Sequence, residues 1–182
     1  MFRLTALVFT DAMTMLAALR GASLVAATVT MGLVAGLFFT FAMSVMPGLG
    51  RTDARTFIDA MQQINVAILN PWLALTLGGA PVFTAFAAVL HFQVSARAVL
   101  PWIVAAFALY IVALVITIGS NIPLNDALAA AGAPERIADL AAVRGNFEVT
   151  WVRWNVARAV ASTAAFGCLT WALVIYGRIT AR

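Results

Sequence analysis

The sequence predicts an all-α polytopic membrane protein: a four-helix transmembrane bundle, with short amphipathic helices in the 47–70 and 120–155 connections. Of its 182 residues, 64% are hydrophobic and 10% are charged, whereas soluble domains are roughly 45–50% apolar and 25% charged. Four apolar stretches are each long enough to cross a bilayer, and of these only the last contains a charged residue. No stretch has the short alternation of a strand, and no repeat divides the chain, so we predict one membrane domain over residues 1–182.

The charge and cysteine content of the chain count against several kinds of binding site. The basic residues are eleven arginines, set against seven acids for a net charge of +4, and they are spread thinly along the chain. This pattern argues against a nucleic-acid surface. One cysteine, Cys168, and one histidine, His91, exclude an intrachain disulfide and a Cys/His metal site within one chain. We predict no metal site, and as partners the lipid bilayer and a hydrophobic small molecule.

The first predicted span covers about residues 23–46. Residues 1–20 contain Asp11 and only a short apolar stretch, which suggests an amphipathic or flexible lead-in rather than a signal peptide. Within the span, Gly32 and Gly36 form a small-xxx-small step that lets another helix approach closely. Packing inside the bundle is one interpretation, and a homo-oligomer contact through both glycines is the other. We expect Pro47-Gly48 to end the helix.

A short amphipathic helix is predicted from Thr52, its expected N-cap, to about residue 66. At 100° per residue, Phe57, Met61 and Ile64 share one apolar stripe, with Asn65 at its edge. The helix is therefore expected to lie on the membrane with Asn65 partly turned toward the protein.

The second and third spans are predicted at 70–92 and 100–119. Asn70-Pro71 begins the second, because proline is tolerated in the first helical turn. After the third span, two amides surround a proline in residues 120–126, which favours a turn followed by a short helix from Asp126 to Ala131. Gly132 is expected to end that helix.

The fourth span is predicted at 155–176, as the membrane part of a long helix that begins near Pro134. Four spans place both termini on one side and bring the 47–70 and 120–155 connections together on the other. The termini side carries five arginines and the opposite side six, so the positive-inside rule does not decide the orientation. Because the six opposite arginines are interleaved with acids, we expect cytoplasmic termini in a bacterial inner membrane.

Polar and aromatic side chains share one face of the long last helix. The wheel places them in an arc of about 80°: Arg144, Glu148, Trp151, Asn155 and Arg158. Arg158 lies about one turn inside the span, where a charge needs a partner, water or a cavity. An interfacial belt of snorkelling arginine and tryptophan is the alternative. Asn65, Asn121 and Asn125 are predicted at the same level, and buried amides need hydrogen-bond partners.

The order of these motifs resembles the anthrone-oxygenase-like family of small integral membrane proteins. The resemblance covers nearly the whole chain after Arg20 and rests on short pieces in order: Gly32 to Gly36, Pro47-Gly48-Leu49, Met61 to Asn65, Pro71, Asn121 to Asn125, Asn146-Phe147, Trp151, and Trp154-Asn155-x-x-Arg158. It implies a four-helix membrane fold and, by analogy with the named oxygenases, oxygenation of an aromatic polyketide. Fold membership alone does not establish an activity.

The residue inventory fits that analogy. An anthrone is acidified by its ring system, and its carbanion can react with oxygen without a metal, so the protein needs a base and anion-stabilising donors. We expect Glu148 or Asp126 to accept the proton and Arg158 to stabilise the enolate. The residues expected to bind substrate are Asn65, Asn121, Asn125, Asn155 and the stacking rings of Trp151 and Trp154.

One alternative stays open at this stage: a non-catalytic membrane module that binds a lipid, a heme or a partner protein. We predict no cofactor, but His91 and seven methionines are residue types that supply heme axial ligands. A Soret band in the absorbance of the purified protein indicates heme, whereas a colourless protein leaves cofactor-free oxygenation and passive binding open.

Overall fold

The computed structural model describes the backbone of residues 2–92 and 97–181, with side chains from Met13 onward within those ranges. No strand occurs in these residues, so the predicted all-α class is confirmed. The α-helices are α1 (Phe2–Thr40), α2 (Met46–Leu49), α3 (Ala54–Ala67), α4 (Pro71–Leu73), α5 (Gly79–Leu90), α6 (Leu100–Ile116), α7 (Ile122–Ala130) and α8 (Leu140–Thr180).

Four continuous helical segments are long and apolar enough to cross a membrane: Met13–Leu49, Pro71–Leu90, Leu100–Ala130 and Leu140–Thr180. α1 packs against α5 and α8, and α6 packs against the same two helices. This arrangement closes a four-helix bundle around a core of mostly small and aliphatic side chains. The backbone of residues 2–20 is helical and continuous with the first segment.

The helices run through the positions where the sequence predicts them to stop. Pro47-Gly48 does not end the first helix, which continues to Leu49, and the segment 120–126 is helical rather than a turn. In each case a π-helical turn precedes the proline: Phe41–Val45 before Pro47, Ala74–Gly78 before Pro81, and Thr117–Asn121 before Pro123. These expectations were therefore wrong about where the helices end.

Proline chemistry accounts for the three π turns. A helical proline has no N–H for the carbonyl four residues earlier, and its ring clashes with that carbonyl. The carbonyls concerned belong to Met43, Leu77 and Gly119, and each lies inside a π turn. The wider turn relieves the clash and keeps the helix continuous. At Leu77 the freed carbonyl accepts a hydrogen bond from the Tyr110 hydroxyl, 2.8 Å away on α6.

The two long connections meet at one end of the bundle, as predicted. We call this layer the cap: α3, α7 and residues 140–151 of α8. It has its own apolar core, formed by Met46, Phe57, Ile58, Met61, Leu128, Phe147 and Trp151. The Gln62 amide nitrogen joins α3 to the end of α7 by donating to the carbonyls of Leu128 at 2.8 Å and Gly132 at 3.0 Å.

Local capping differs from the sequence prediction at two helices. The N-cap of α3 is Asp53, whose carboxylate accepts from the Thr56 amide, while the Thr52 hydroxyl donates to the Leu49 carbonyl. α8 begins at Leu140 with Asp139 as its N-cap, and Pro134–Arg136 form a separate 3₁₀ turn. Asn70 caps the second span as predicted, and Gly132, with φ of +82°, follows the end of α7.

The two glycines of the Gly32 and Gly36 step differ in how closely another helix approaches them. A Cβ built on Gly32 would come within 2.9 Å of the Phe166 ring of α8, whereas one on Gly36 would meet nothing within 4 Å. Gly32 therefore permits close helix packing within the chain. A homo-oligomer contact through Gly32 and Gly36 stays a prediction, for which Gly36 has the open face.

The pairing of Pro81 with Tyr110 gives a testable energetic coupling. Tyr110→Phe leaves the Leu77 carbonyl without its donor, and we expect it to destabilise the protein by about 1–3 kcal/mol. In a Pro81→Ala background the new amide N–H at position 81 can donate to that carbonyl, so the cost of Tyr110→Phe should shrink. Thermal unfolding of the four proteins of this double-mutant cycle in detergent measures the coupling. Additive losses would contradict this account of the π turn.

Candidate functional site

A cavity of about 680 Å³ lies where the bundle meets the cap. It receives side chains from all four membrane segments and from α3. Its lining is Leu37, Phe38, Phe41, Gln62, Gln63, Asn65, Val66, Ile68, Leu69, Leu73, Leu77, Thr117, Ile122, Asn125, Asp126, Ala129, Gly132, Ala133, Trp151 and Arg158. Each of the three π turns contributes one lining residue: Phe41, Leu77 and Thr117.

Arg158 is the buried cation of this cavity, with 7% of its surface exposed. Its Nε and Nη2 both donate to the Asn155 side-chain oxygen, at 3.1 and 3.0 Å. Nη1 donates to the Thr117 hydroxyl at 3.4 Å. A guanidinium has five N–H donors, and these bonds use three, so two have no hydrogen-bond partner in the described part of the chain and are available to a ligand.

The guanidinium charge has no carboxylate partner among the described residues. The ion pairs found there are Arg55–Glu135 and Arg144–Glu148. Aromatic faces supply part of the compensation: the Arg158 guanidinium carbon lies 4.1 Å from the Phe38 ring centre and 5.3 Å from that of Trp151. Because a buried charge is costly without a partner, this arrangement favours an anionic ligand.

Asn155 positions Arg158 rather than lining the cavity. The side chain is fully buried, and its amide nitrogen donates to the Phe38 carbonyl of α1 at 3.1 Å. Its oxygen is thereby directed at the guanidinium, which it holds through the two bonds described above. Asn155 thus links α1, α8 and the orientation of the cationic group.

Asn121 and Asn125 both contact Trp151, one on its backbone and one on its ring. The Trp151 indole N–H donates to the Asn125 side-chain oxygen at 2.8 Å. The Asn121 amide nitrogen donates to the Trp151 carbonyl at 3.3 Å, while the Asn121 side-chain oxygen is buried without a partner in the described part of the chain. A buried polar atom of this kind calls for a water or ligand donor.

The polar rim of the cavity comes from α3 and α7. Asn65 and Gln63 on α3 and Asp126 on α7 all line it, as does the bridging residue Gln62. Asp126 is exposed and Asn65 is half-buried. The cavity therefore has a cationic, aromatic interior and a rim of amides with one carboxylate.

Four residues of the sequence-predicted site do not line the cavity: Asn121 and Asn155, which support lining residues as described above, and Glu148 and Trp154, which have no contact with it. Glu148 accepts a hydrogen bond from Arg144 at 2.7 Å, and Arg144 also donates to the carbonyls of Thr52 and Gly50. Trp154 is 42% exposed on the outer surface of α8. The helical wheel groups Glu148 with Arg158, but ten residues of helix separate them by about 15 Å along the axis.

Among the lining residues that the sequence did not single out, four contribute a polar group or an aromatic face to the site: Phe38, Gln62, Gln63 and Thr117. The paired glutamines stand inside the motif that carries the family resemblance, next to Asn65, so their position was a usable signal. Thr117 is harder to find, because a hydroxyl that bonds its own helix at the Ala113 carbonyl is common in membrane helices. Its link to Arg158 appears only in three dimensions.

The described residues contain no group of three or more His, Cys, Asp and Glu side chains placed to hold a metal ion. The lining residues of the cavity include no histidine, cysteine or methionine. His91 is fully buried where α5 ends, with its Nδ1 2.7 Å from the Ala87 carbonyl and its ring against Tyr176. It lies on the termini side of the bundle, away from the cap.

The chain matches a known protein family. Residues 72–168, more than half of the chain, match the model of the family described as anthrone oxygenase. The matched segment contains Thr117, Asn121, Asn125, Asp126, Trp151, Asn155 and Arg158. No curated protein and no solved structure matches the chain.

The environment of Arg158 predicts that substitution by lysine lowers stability more at this position than at an interfacial arginine. Lysine is a compact cation without the planar fork that reaches Asn155 twice and Thr117 once, so Arg158→Lys should cost about 1–3 kcal/mol of stability. Arg153 is exposed on the same helix, and Arg153→Lys should be silent. Thermal unfolding of both variants in detergent makes the comparison. Equal, negligible effects would identify Arg158 as a membrane anchor.

Proposed function

The chain belongs to the anthrone oxygenase family, and we propose that it oxygenates a flat, hydrophobic aromatic ketone bound in the cavity beneath the cap. The observation that carries the proposal is the buried Arg158 guanidinium, which has two uncommitted N–H donors and no carboxylate partner in the described part of the chain. Such a group stabilises an enolate oxygen more strongly than the neutral ketone it forms from. That difference is what accelerates a reaction.

The proton acceptor in this proposal is Asp126. It lines the same cavity as Arg158 and is exposed at the rim, where it can pass the proton to water. Glu148 was the other candidate, but its carboxylate is engaged by Arg144 outside the cavity. In this proposal the base on the rim faces the acidic ring CH₂ of the substrate, and the cation in the interior faces the substrate's carbonyl oxygen.

The proposed reaction balances with molecular oxygen as the oxidant. Asp126 takes a proton from the ring CH₂, and Arg158 holds the resulting enolate oxygen. The carbanion carbon transfers electrons to O₂ and forms a C–O bond, and protonation of the peroxide gives a hydroperoxide. Loss of the second C–H proton with cleavage of the O–O bond releases water and leaves a new C=O. Anthrone plus O₂ thus becomes anthraquinone plus water.

The size and lining of the cavity support this substrate class. A volume of about 680 Å³ falls in the range of roughly 300–1,000 Å³ typical of small-molecule sites. Phe38, Phe41 and Trp151 present aromatic surface, with the Phe41 and Trp151 ring centres 5.7 Å apart. The rim amides of Asn65 and Asn125 suit carbonyl and hydroxyl substituents at the ring edge. Asn121 and Asn155 act in support, through Trp151 and Arg158 respectively.

We propose that no cofactor takes part, because the enolate itself supplies the electrons to oxygen. The heme alternative predicts a Soret band in the absorbance spectrum of the purified protein. A colourless protein that consumes oxygen supports the proposal, whereas oxygen uptake that follows heme content would overturn it.

We also propose a bacterial inner-membrane location with cytoplasmic termini. Three of the six arginines on the cap side are engaged within the protein: Arg55 pairs with Glu135, Arg144 pairs with Glu148, and Arg158 is buried. With these set aside, and with the buried Arg20 set aside on the other side, four arginines remain near the termini against three on the cap side, which favours cytoplasmic termini under the positive-inside rule. Labelling of single cysteines at Arg97 and Asp139 from each side of intact membranes tests this. Labelling of both from one side would contradict the topology.

The assignment of Asp126 can be tested by turnover. Asp126→Asn keeps the shape of the side chain but removes the base, and loss of a general base typically costs about 10²–10⁴-fold in rate. We therefore expect a fall of at least about 10²-fold in kcat for anthrone-dependent oxygen uptake, corrected for spontaneous oxidation in protein-free vesicles.

Two carboxylates outside the cavity serve as controls for that measurement. Asp59 is exposed and Glu148 pairs with Arg144, so Asp59→Asn and Glu148→Gln should retain kcat in the folded protein. A loss at Glu148 with none at Asp126 would reverse the assignment. If the wild type binds anthrone without oxygen uptake above the protein-free rate, the protein is a passive binder and the oxygenase proposal fails.

A further inference from the structure

A second, shallower groove lies against the outer side of the cavity. It is formed by the start of the second membrane segment, and its lining is Leu69, Asn70, Pro71, Leu73, Ala74, Leu77 and Gly78. Gly78 leaves space in it, since a Cβ built there would meet nothing within 4 Å. The groove therefore has room beside it that no part of the described chain fills.

Three leucines separate this groove from the cavity. Leu69, Leu73 and Leu77 line both spaces. Leu73 and Leu77 lie four residues apart on the segment, and Leu69 lies in the connection just before its N-cap, Asn70. Because these three residues border both spaces, we treat their side chains as a shared wall.

The wall lies on an exposed, apolar side of the bundle. Of the four membrane segments, Pro71–Leu90 has the smallest share of residues buried inside the protein. Trp72 and Leu75 beside the groove are 75% and 52% exposed, and Leu69 is 77% exposed. Because exposed apolar side chains on a membrane segment favour lipid over water, we expect this side to contact the bilayer, whereas the rim with Asp126, Asn65 and Gln63 carries the polar side of the cavity.

We propose that the groove is the site where a hydrophobic substrate dissolved in the bilayer first binds, and that it passes between Leu69, Leu73 and Leu77 into the cavity. A flat aromatic ketone partitions into lipid, so a lateral route supplies it at a higher concentration than water does. The π turn Ala74–Gly78 forms part of the wall, and such turns locally loosen the regular helix ladder. The inference rests on the ligand-binding part of the proposed function, not on its reaction.

Gly78→Phe tests the route because Gly78 lines the groove but not the cavity. Filling the groove raises the barrier for both entering and leaving, without changing the bound state. With 1-hydroxypyrene, a flat fluorescent phenol, as the probe in proteoliposomes, association and dissociation rates should both fall about tenfold, equivalent to about 1.4 kcal/mol of barrier. The equilibrium Kd should stay within about twofold of the wild type, because an access barrier slows both directions equally.

The matched control is Gly119→Phe. Gly119 is also an exposed glycine in a π turn with nothing within 4 Å of a built Cβ, but it lines neither space. We expect wild-type rates from this variant. A second variant, Leu73→Ala, widens the wall and should accelerate both rates, which tests the route in the opposite direction even if Gly78→Phe fails to fold.

The experiment distinguishes a failure of the lateral route from a failure of the proposed oxygenation. Slower exchange in Gly78→Phe and faster exchange in Leu73→Ala support the lateral route. Equal rates in Gly78→Phe and Gly119→Phe with no acceleration in Leu73→Ala, or no probe binding by the wild type, overturn it. Probe exchange that follows the expected pattern while anthrone-dependent oxygen uptake is absent leaves the route standing and refutes the oxygenase proposal.

Discussion

A positive charge buried near the middle of α8 is the constraint around which the cap end of this protein is organised. Arg158 has neutral oxygen and aromatic partners: the Asn155 side-chain oxygen, the Thr117 hydroxyl and the faces of Phe38 and Trp151. A carboxylate in the place of these partners would form an ion pair with the guanidinium and leave little electrostatic attraction for an anionic ligand. Neutral partners orient the guanidinium but leave its charge available, which suits a site that must stabilise a transient anion.

Three prolines create the space in which that charge acts. Each one requires relief at the carbonyl four residues earlier, and each relief is a π turn that contributes a lining residue to the cavity. The helices remain continuous through all three turns, and at Leu77 the freed carbonyl accepts a hydrogen bond from Tyr110. The π turns therefore contribute to the cavity wall without breaking a membrane segment, and an exposed break would not be tolerated in hydrocarbon.

Hydropathy, periodicity and capping signals were sufficient to predict the four segments, the amphipathic α3 and the convergence of both connections. They also identified Arg158, Trp151 and Asn155 as candidate site residues, because a charge and an amide within an apolar span need specific partners. The helical wheel was misleading about Glu148. It shows Glu148 and Arg158 on one face of the helix but does not show how far apart they lie along the helix axis. Proline was interpreted as a stop signal, although a π turn accommodates it without a break. Partners such as Thr117 depend on contacts between distant segments.

A π turn also changes how chains of this kind should be aligned. It holds one residue more than an α-helical turn over the same length, so every later side chain is rotated by about 100° relative to an uninterrupted helix. The turn at Thr117–Asn121 thus sets the azimuth at which Asn125 meets Trp151. A single-residue gap near Pro47, Pro81 or Pro123 in a relative would signify a lost π turn and a re-phased helix, not a shortened loop.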